Sequence, residues 1–96
     1  MNSRELVDDL RRRYAETIKP RIQAGNYFRA YVELDKIIPL LRISKDDIIA
    51  DLHCGLACIS AAEKLYRELG EGEPSKETIE EFEAFSAQTQ LPRRGV

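Results

Sequence analysis

Apolar residues recur every third or fourth position over most of this chain, the signature of helices that bury one face. Leu6, Leu10, Tyr14, Ile18 and Ile22 follow at intervals of four, with Val7 and Thr17 beside them and Asp8, Asp9, Arg11, Arg12 and Arg13 on other faces. Asn2 followed by Glu5 is a capping-box pattern: the amide oxygen accepts from a first-turn N–H and the carboxylate reaches back, so a helix is predicted to begin near Ser3. Pro20 removes a backbone donor and collides with the carbonyl of Glu16, so that helix either kinks or stops and restarts before Gly25. Gly25-Asn26 then predicts a tight hairpin, because glycine accepts the left-handed conformation that closes one helix and asparagine caps the next. A second helix starts near Tyr27, carries Ala30, Tyr31, Leu34, Ile37, Ile38 and Leu41, and meets its limit where Pro39 disfavours helical geometry at Ile38.

The longest element is predicted after Ser44, which with Asp47 opens a helix whose first turn is acidic and which meets no breaker before Gly70. Ile48, Leu52, Gly55, Ile59, Ala62, Tyr66 and Leu69 form a heptad seam, and Ile49, Cys54, Leu56, Cys58, Ala61 and Leu65 make other faces apolar as well. A continuous rod over 48–69, apolar on several sides, has to be covered by neighbours. After a loop at Gly70-Glu-Gly-Glu-Pro-Ser, Ser75 can cap a last helix with Ile79, Phe82 and Phe85 on one face and Glu77, Glu80, Glu81 and Glu83 on others. From about Ser86 the chain turns polar, and residues 89–96 read as a flexible tail.

The predicted fold class is therefore all-α: a compact bundle of about four helices, in which two short N-terminal helices form a hairpin and a long third helix is central. At 96 residues, 43% hydrophobic and 33% charged, the chain has the size and composition of one folded domain, assigned to residues 1–88. Charge is unevenly spread: residues 1–42 hold nine Lys/Arg against six Asp/Glu, and residues 43–87 hold four against eleven. Neither half has the excess of a typical nucleic-acid module. The opening MNSRELVDDL lacks the apolar core of a signal peptide and no stretch reaches the roughly 20 apolar residues of a membrane span, so the expected location is cytoplasmic.

The stretch Gly25-Asn26-Tyr27-x-x-Ala30-x-x-x-Leu34-x-x-Ile37-Ile38, with Tyr14 ahead of it, resembles the turn and second helix of a tetratricopeptide repeat. The likeness covers about a quarter of the chain. It departs from the pattern at Ile18, Arg21 and Arg42, which stand where that family has a small residue, an aromatic and a closing proline. The resemblance implies binding of a peptide or partner protein in a concave groove, without catalysis.

Several side chains invite a functional reading of their own. Tyr27, Phe28 and Tyr31 cluster at the start of the second helix, where one apolar face cannot hold all three, so one of them is expected at the surface as a contact. With the acidic last helix, represented by Glu80 and Glu83, they form the expected partner-binding surface. Arg11, Arg12 and Arg13 could contact phosphates, but Asp8, Asp9 and Glu16 lie at helix spacing and neutralise much of that field. Gly55, Cys58 and Ala62 are small enough to let another helix approach, inside the chain or from a second copy in a homodimer. Asp51, His53, Cys54 and Cys58 match zinc or copper ligands in kind but not in spacing, and packing thiols are the simpler reading, so no metal and no cofactor are expected.

Catalysis has little to stand on in this sequence, which contains no phosphate-cradling glycine loop and no nucleophile beside a usable base. The expectation is a non-enzymatic helical protein-protein interaction module: a small adaptor, chaperone, immunity or inhibitor protein whose partner the residues do not identify. The alternative is a small nucleic-acid-associated helical protein that uses the arginine run.

Overall fold

Asn2 opens the first helix as its side chain predicts: its Oδ1 accepts from the Glu5 amide at 2.9 Å while Glu5 accepts from the Asn2 amide at 3.0 Å. In the computed structural model, which describes residues 2–88, this cap starts α1 (Ser3–Arg13), which runs through a π-helical turn (Tyr14–Ile18) into α2 (Lys19–Gln23). The π turn shows how Pro20 is absorbed. The Lys19 amide reaches back to the Tyr14 carbonyl, and the Thr17 hydroxyl donates to the Arg13 carbonyl at 2.7 Å. The widened turn thus accommodates the proline ring without breaking the rod.

Gly25, at a φ of 81°, closes this rod with bonds from its own amide to the Ile22 carbonyl and from Asn26 to Arg21. The chain then reverses into α3 (Tyr27–Asp35), which packs against the π turn and α2. Asn26, however, makes no side-chain cap. The second helix is also shorter than its apolar pattern suggests. After Asp35 the bonds tighten, with Lys36 donating to Glu33 and Ile37 to Leu34, and a separate α4 (Ile38–Ile43) begins. Pro39 sits in the first turn of α4, where a missing N–H costs nothing, so it starts a helix as well as ending one.

The continuous central rod is not formed. Its place is taken by α5 (Lys45–Asp51) and α6 (Gly55–Glu71), joined by Leu52 in an extended conformation and by His53 and Cys54. Ser44 leads straight from α4 into α5 without a side-chain cap. The physical reason for the break is visible at Gly55, where an added Cβ would stand 2.3 Å from the Ile48 carbonyl oxygen: the chain folds back onto the end of α5 at a separation only glycine permits. The seam survives the break. Ile48, Gly55, Ile59, Ala62 and Leu69 are all buried, but two helices supply them.

A loop at Gly72–Ser75 leads to α7 (Lys76–Gln88), capped by Ser75, whose Oγ accepts from the Thr78 amide at 3.2 Å. Phe82 and Phe85 enter the core, Phe82 lying 4.5 Å from the Tyr14 ring, centroid to centroid. With α1, the π turn and α2 counted as one rod, six helices rather than about four make up the described residues, and no strand occurs among them. The core is shared by all of them: Leu10 and Ile18 from the rod, Leu34 from α3, Ile38 and Leu41 from α4, Ile48 from α5, Cys58 and Leu65 from α6, and Phe82 from α7. No helix among the described residues is long and apolar enough to cross a membrane. The flexible tail expected over residues 89–96 lies outside the described residues.

Candidate functional site

The hairpin aromatics separate by the 100° rotation between successive helical residues. Tyr31 turns inward onto α6, its ring stacked 4.8 Å from that of Tyr66 and its hydroxyl donating to the Tyr66 hydroxyl at 3.1 Å. Gly70 makes room for it, since a Cβ there would come within 3.1 Å of the Tyr31 ring. Tyr66 in turn donates to Asp35 and lies under the Arg42 guanidinium. The hydrogen bond to the Asp35 carboxylate and then the one with Tyr31 raise the Tyr66 hydroxyl above its ordinary pKa. Tyr27 is half-buried against the core. Phe28 is the aromatic left outside: 73% of its surface is exposed, and its ring lies 6.4 Å from Tyr31.

Phe28 stands at a shallow cleft of about 200 Å³ on the outer side of α2 and α3, lined by Arg21, Phe28, Arg29, Val32 and Glu33. Val32, one turn along from Phe28, is also exposed. The Arg21 guanidinium approaches Glu33 only to 3.9 Å, its Nε buried without a hydrogen-bond partner, whereas the Glu33 carboxylate is taken by Lys36 at 3.1 Å.

A second exposed apolar group is not legible from the spacing. Leu40 and Ile43 on α4, Ile49 on α5 and Leu56 at the start of α6 all show large side chains to the surface, Ile43 most of all at 82% exposure. The three helices pack against one another. In sequence these residues belong to runs so apolar that each looks like core.

Most of the other expected site residues are occupied within the chain. Glu83 accepts from the Tyr14 hydroxyl at 2.9 Å and pairs with Lys19 at 3.0 Å, and the bond from Lys19 holds its carboxyl below the usual range. It therefore ties α7 to the N-terminal rod, while Glu80 remains exposed. Arg11 pairs with Asp8, Arg12 with Asp9 and Glu16, and Arg13 with Asp9. Burial alone would raise the Asp9 carboxyl, but the hydrogen bonds and charges of Arg13 and Arg12 carry it below its ordinary value. Gly55, Cys58 and Ala62 are buried by this chain's own helices, so the helix that their small size admits is one from inside the chain.

A cleft of about 230 Å³ lies between α1 and the Leu52–Cys54 link, with Arg4, Asp8 and Arg11 on one wall and Asp51, His53 and Cys54 on the other. Two cations and two carboxylates balance there. Cys58 lies behind it, fully buried, and burial pushes its thiol up to about 12, so it stays protonated and inert. Among the described residues no group of three or more His, Cys, Asp or Glu is placed to hold a metal ion. Comparison of this chain with protein-family models, with curated proteins and with solved structures finds no match.

Proposed function

We propose that this chain is a non-catalytic helical module that acts by binding another protein, in the manner of a small adaptor, chaperone, immunity or inhibitor protein. The observation that carries the reading is where the large apolar side chains remain uncovered. Phe28, Val32, Leu40, Ile43, Ile49 and Leu56 are exposed, and all fall between α3 and the first turn of α6, whereas α1, the π turn, α2 and the described side chains of α7 contribute none. Exposed large apolar side chains that lie together, as Phe28 and Val32 do at one cleft, mark interaction surfaces.

Phe28 is the anchor in this reading, and Tyr31 and Tyr66 are the scaffold behind it, because a ring backed by a stacked pair loses little freedom on binding. The reading keeps the partner-binding role that the tetratricopeptide resemblance implies. It also sets the acidic residues of α7 aside, since Glu83 is engaged internally. The nucleic-acid alternative through Arg11, Arg12 and Arg13 has less support, because each of these guanidiniums has a carboxylate partner.

Affinity capture from the protein's own cells tests the proposal. Wild-type protein is expected to retain a specific protein that a Phe28→Ala/Val32→Ser variant, shown by circular dichroism to keep its helices, retains at less than a tenth of the yield. Equal recovery by both proteins would remove the α3 face from the interaction.

A further inference from the structure

We infer that the segment docking on this face is acidic, with a large apolar side chain seated on Phe28 and Val32 and carboxylates on either side of it paired with Arg21 and Arg29. This rests on the protein-binding reading and adds the chemistry of the partner to it.

Charge in the cleft is unbalanced, unlike that of the arginine run on α1. Arg21 and Arg29 line the cleft with a single carboxylate, Glu33, which Lys36 already holds at 3.1 Å. Arg29 is exposed and makes no ion pair among the described residues. Arg21 has only its 3.9 Å approach to Glu33, and its Nε is buried with no acceptor in reach. The Arg21 Nε itself is covered, but 34% of the side chain is exposed, and an incoming carboxylate can take up the guanidinium that Glu33 holds only at 3.9 Å, with a charge-assisted bond. Phe28, 73% exposed and lining the same cleft as these two cations, sets the apolar requirement.

A nucleic acid could also offer anions and flat rings, but the number of free cations favours a peptide. Phosphate binding strengthens with each cation engaged, and this cleft supplies only Arg29, which has no carboxylate partner among the described residues, and Arg21, held by Glu33 at 3.9 Å, on a chain whose net charge is -2.

The test is selection of a random peptide library on the folded full-length protein, followed by titration of labelled winners by fluorescence anisotropy. Enrichment of peptides carrying Asp or Glu beside Leu, Phe or a similar residue is expected. Exchanging their carboxylates for amides should weaken binding roughly tenfold, as should Arg29→Gln or Arg21→Gln. Arg29 is exposed, so its variant keeps the fold even if that of Arg21 does not. Winners that depend on Phe28 but carry no acidic residue, or that bind Arg29→Gln and wild type equally, overturn the acidic chemistry and leave the docking face standing. An absence of winners, or winners indifferent to Phe28→Ala, overturns both. A single-stranded RNA of twelve nucleotides that binds more tightly than any winner and loses affinity in Arg29→Gln also overturns the inference.

Discussion

Gly55 and Gly70 both sit in α6, yet they do opposite work. At Gly55 the missing Cβ would meet backbone, 2.3 Å from the Ile48 carbonyl oxygen, and a carbonyl at the end of a helix cannot retreat without opening the joint between α5 and α6. At Gly70 the nearest atom is a Tyr31 ring carbon at 3.1 Å, which a small rotation of the side chain clears. An alanine gains about 1 kcal/mol of helix propensity over glycine inside a helix, enough to offset a ring shift and too little to offset a backbone collision. Gly70→Ala is therefore expected to stay within about 1 kcal/mol of wild type, and Gly55→Ala to lose about 3 kcal/mol. Urea denaturation with unchanged slope reads both. A Gly55→Ala protein as stable as wild type would mean that the two helices do not meet at this separation. From the sequence, Gly55 reads as a small residue for helix packing. The neighbour it meets is the chain's own preceding turn, at Ile48 and Ile49.

At the scale of elements, the joint between α6 and α7 is organised by one carboxylate. Glu68 accepts from the Ser75 amide and from the Thr78 hydroxyl, each at 2.7 Å, and Thr78 is fully buried. The Ser75 amide first, and the Thr78 hydroxyl second, lower the Glu68 carboxyl below its ordinary 4.5. Because the folded value lies below the unfolded one, the stabilisation is present above about 4.5 and is lost as pH falls through the depressed folded value. Glu68→Gln is expected to cost about 1–2 kcal/mol at neutral pH, and its difference from wild type should shrink on acidification below that point. Denaturation of both proteins between neutral and acid pH measures it, and a difference independent of pH would assign the cost to geometry rather than charge. Helix ends set by local hydrogen bonds of this sort are legible in sequence, as at Asn2 with Glu5, Gly25 and Ser75. The break at Leu52–Cys54 is not, because no proline marks it and the seam from Ile48 to Leu69 reads the same whether one helix or two supply it. With the break, α5 packs against α1, a contact between residues distant in sequence.

Across the whole molecule, part of the unequal charge of the two halves of the chain is used inside the fold. Lys19 pairs with Glu83 at 3.0 Å and Arg42 with Glu63 at 2.8 Å, joining the basic first half to the acidic second. Pairs at a surface add little to stability, so they set the orientation of helices that the core already holds together. The surface that remains unaccounted for is apolar, and it explains why the candidate site is only partly visible in the sequence. Three aromatics on one turn show that one must face outward without saying that it is Phe28. The run IPLLRI of α4 has apolar residues at four of its six positions and looks like core throughout, yet only Ile38 and Leu41 are buried. Leu40 and Ile43 project outward, as Leu56 does from α6. This distinction predicts the outcome of an Ile43→Ser/Leu56→Ser protein. Side chains already in water lose nothing when made polar, so its unfolding free energy should stay within about 1 kcal/mol of wild type. Truncation of buried aliphatics would instead cost about 2–5 kcal/mol at each site. If these residues belong to the same docking surface as Phe28, the variant should also lose the partner captured by wild-type protein. Retained binding with unchanged stability would confine the interface to α3, and a loss of several kcal/mol would show that the corner formed by α4, α5 and α6 is interior after all.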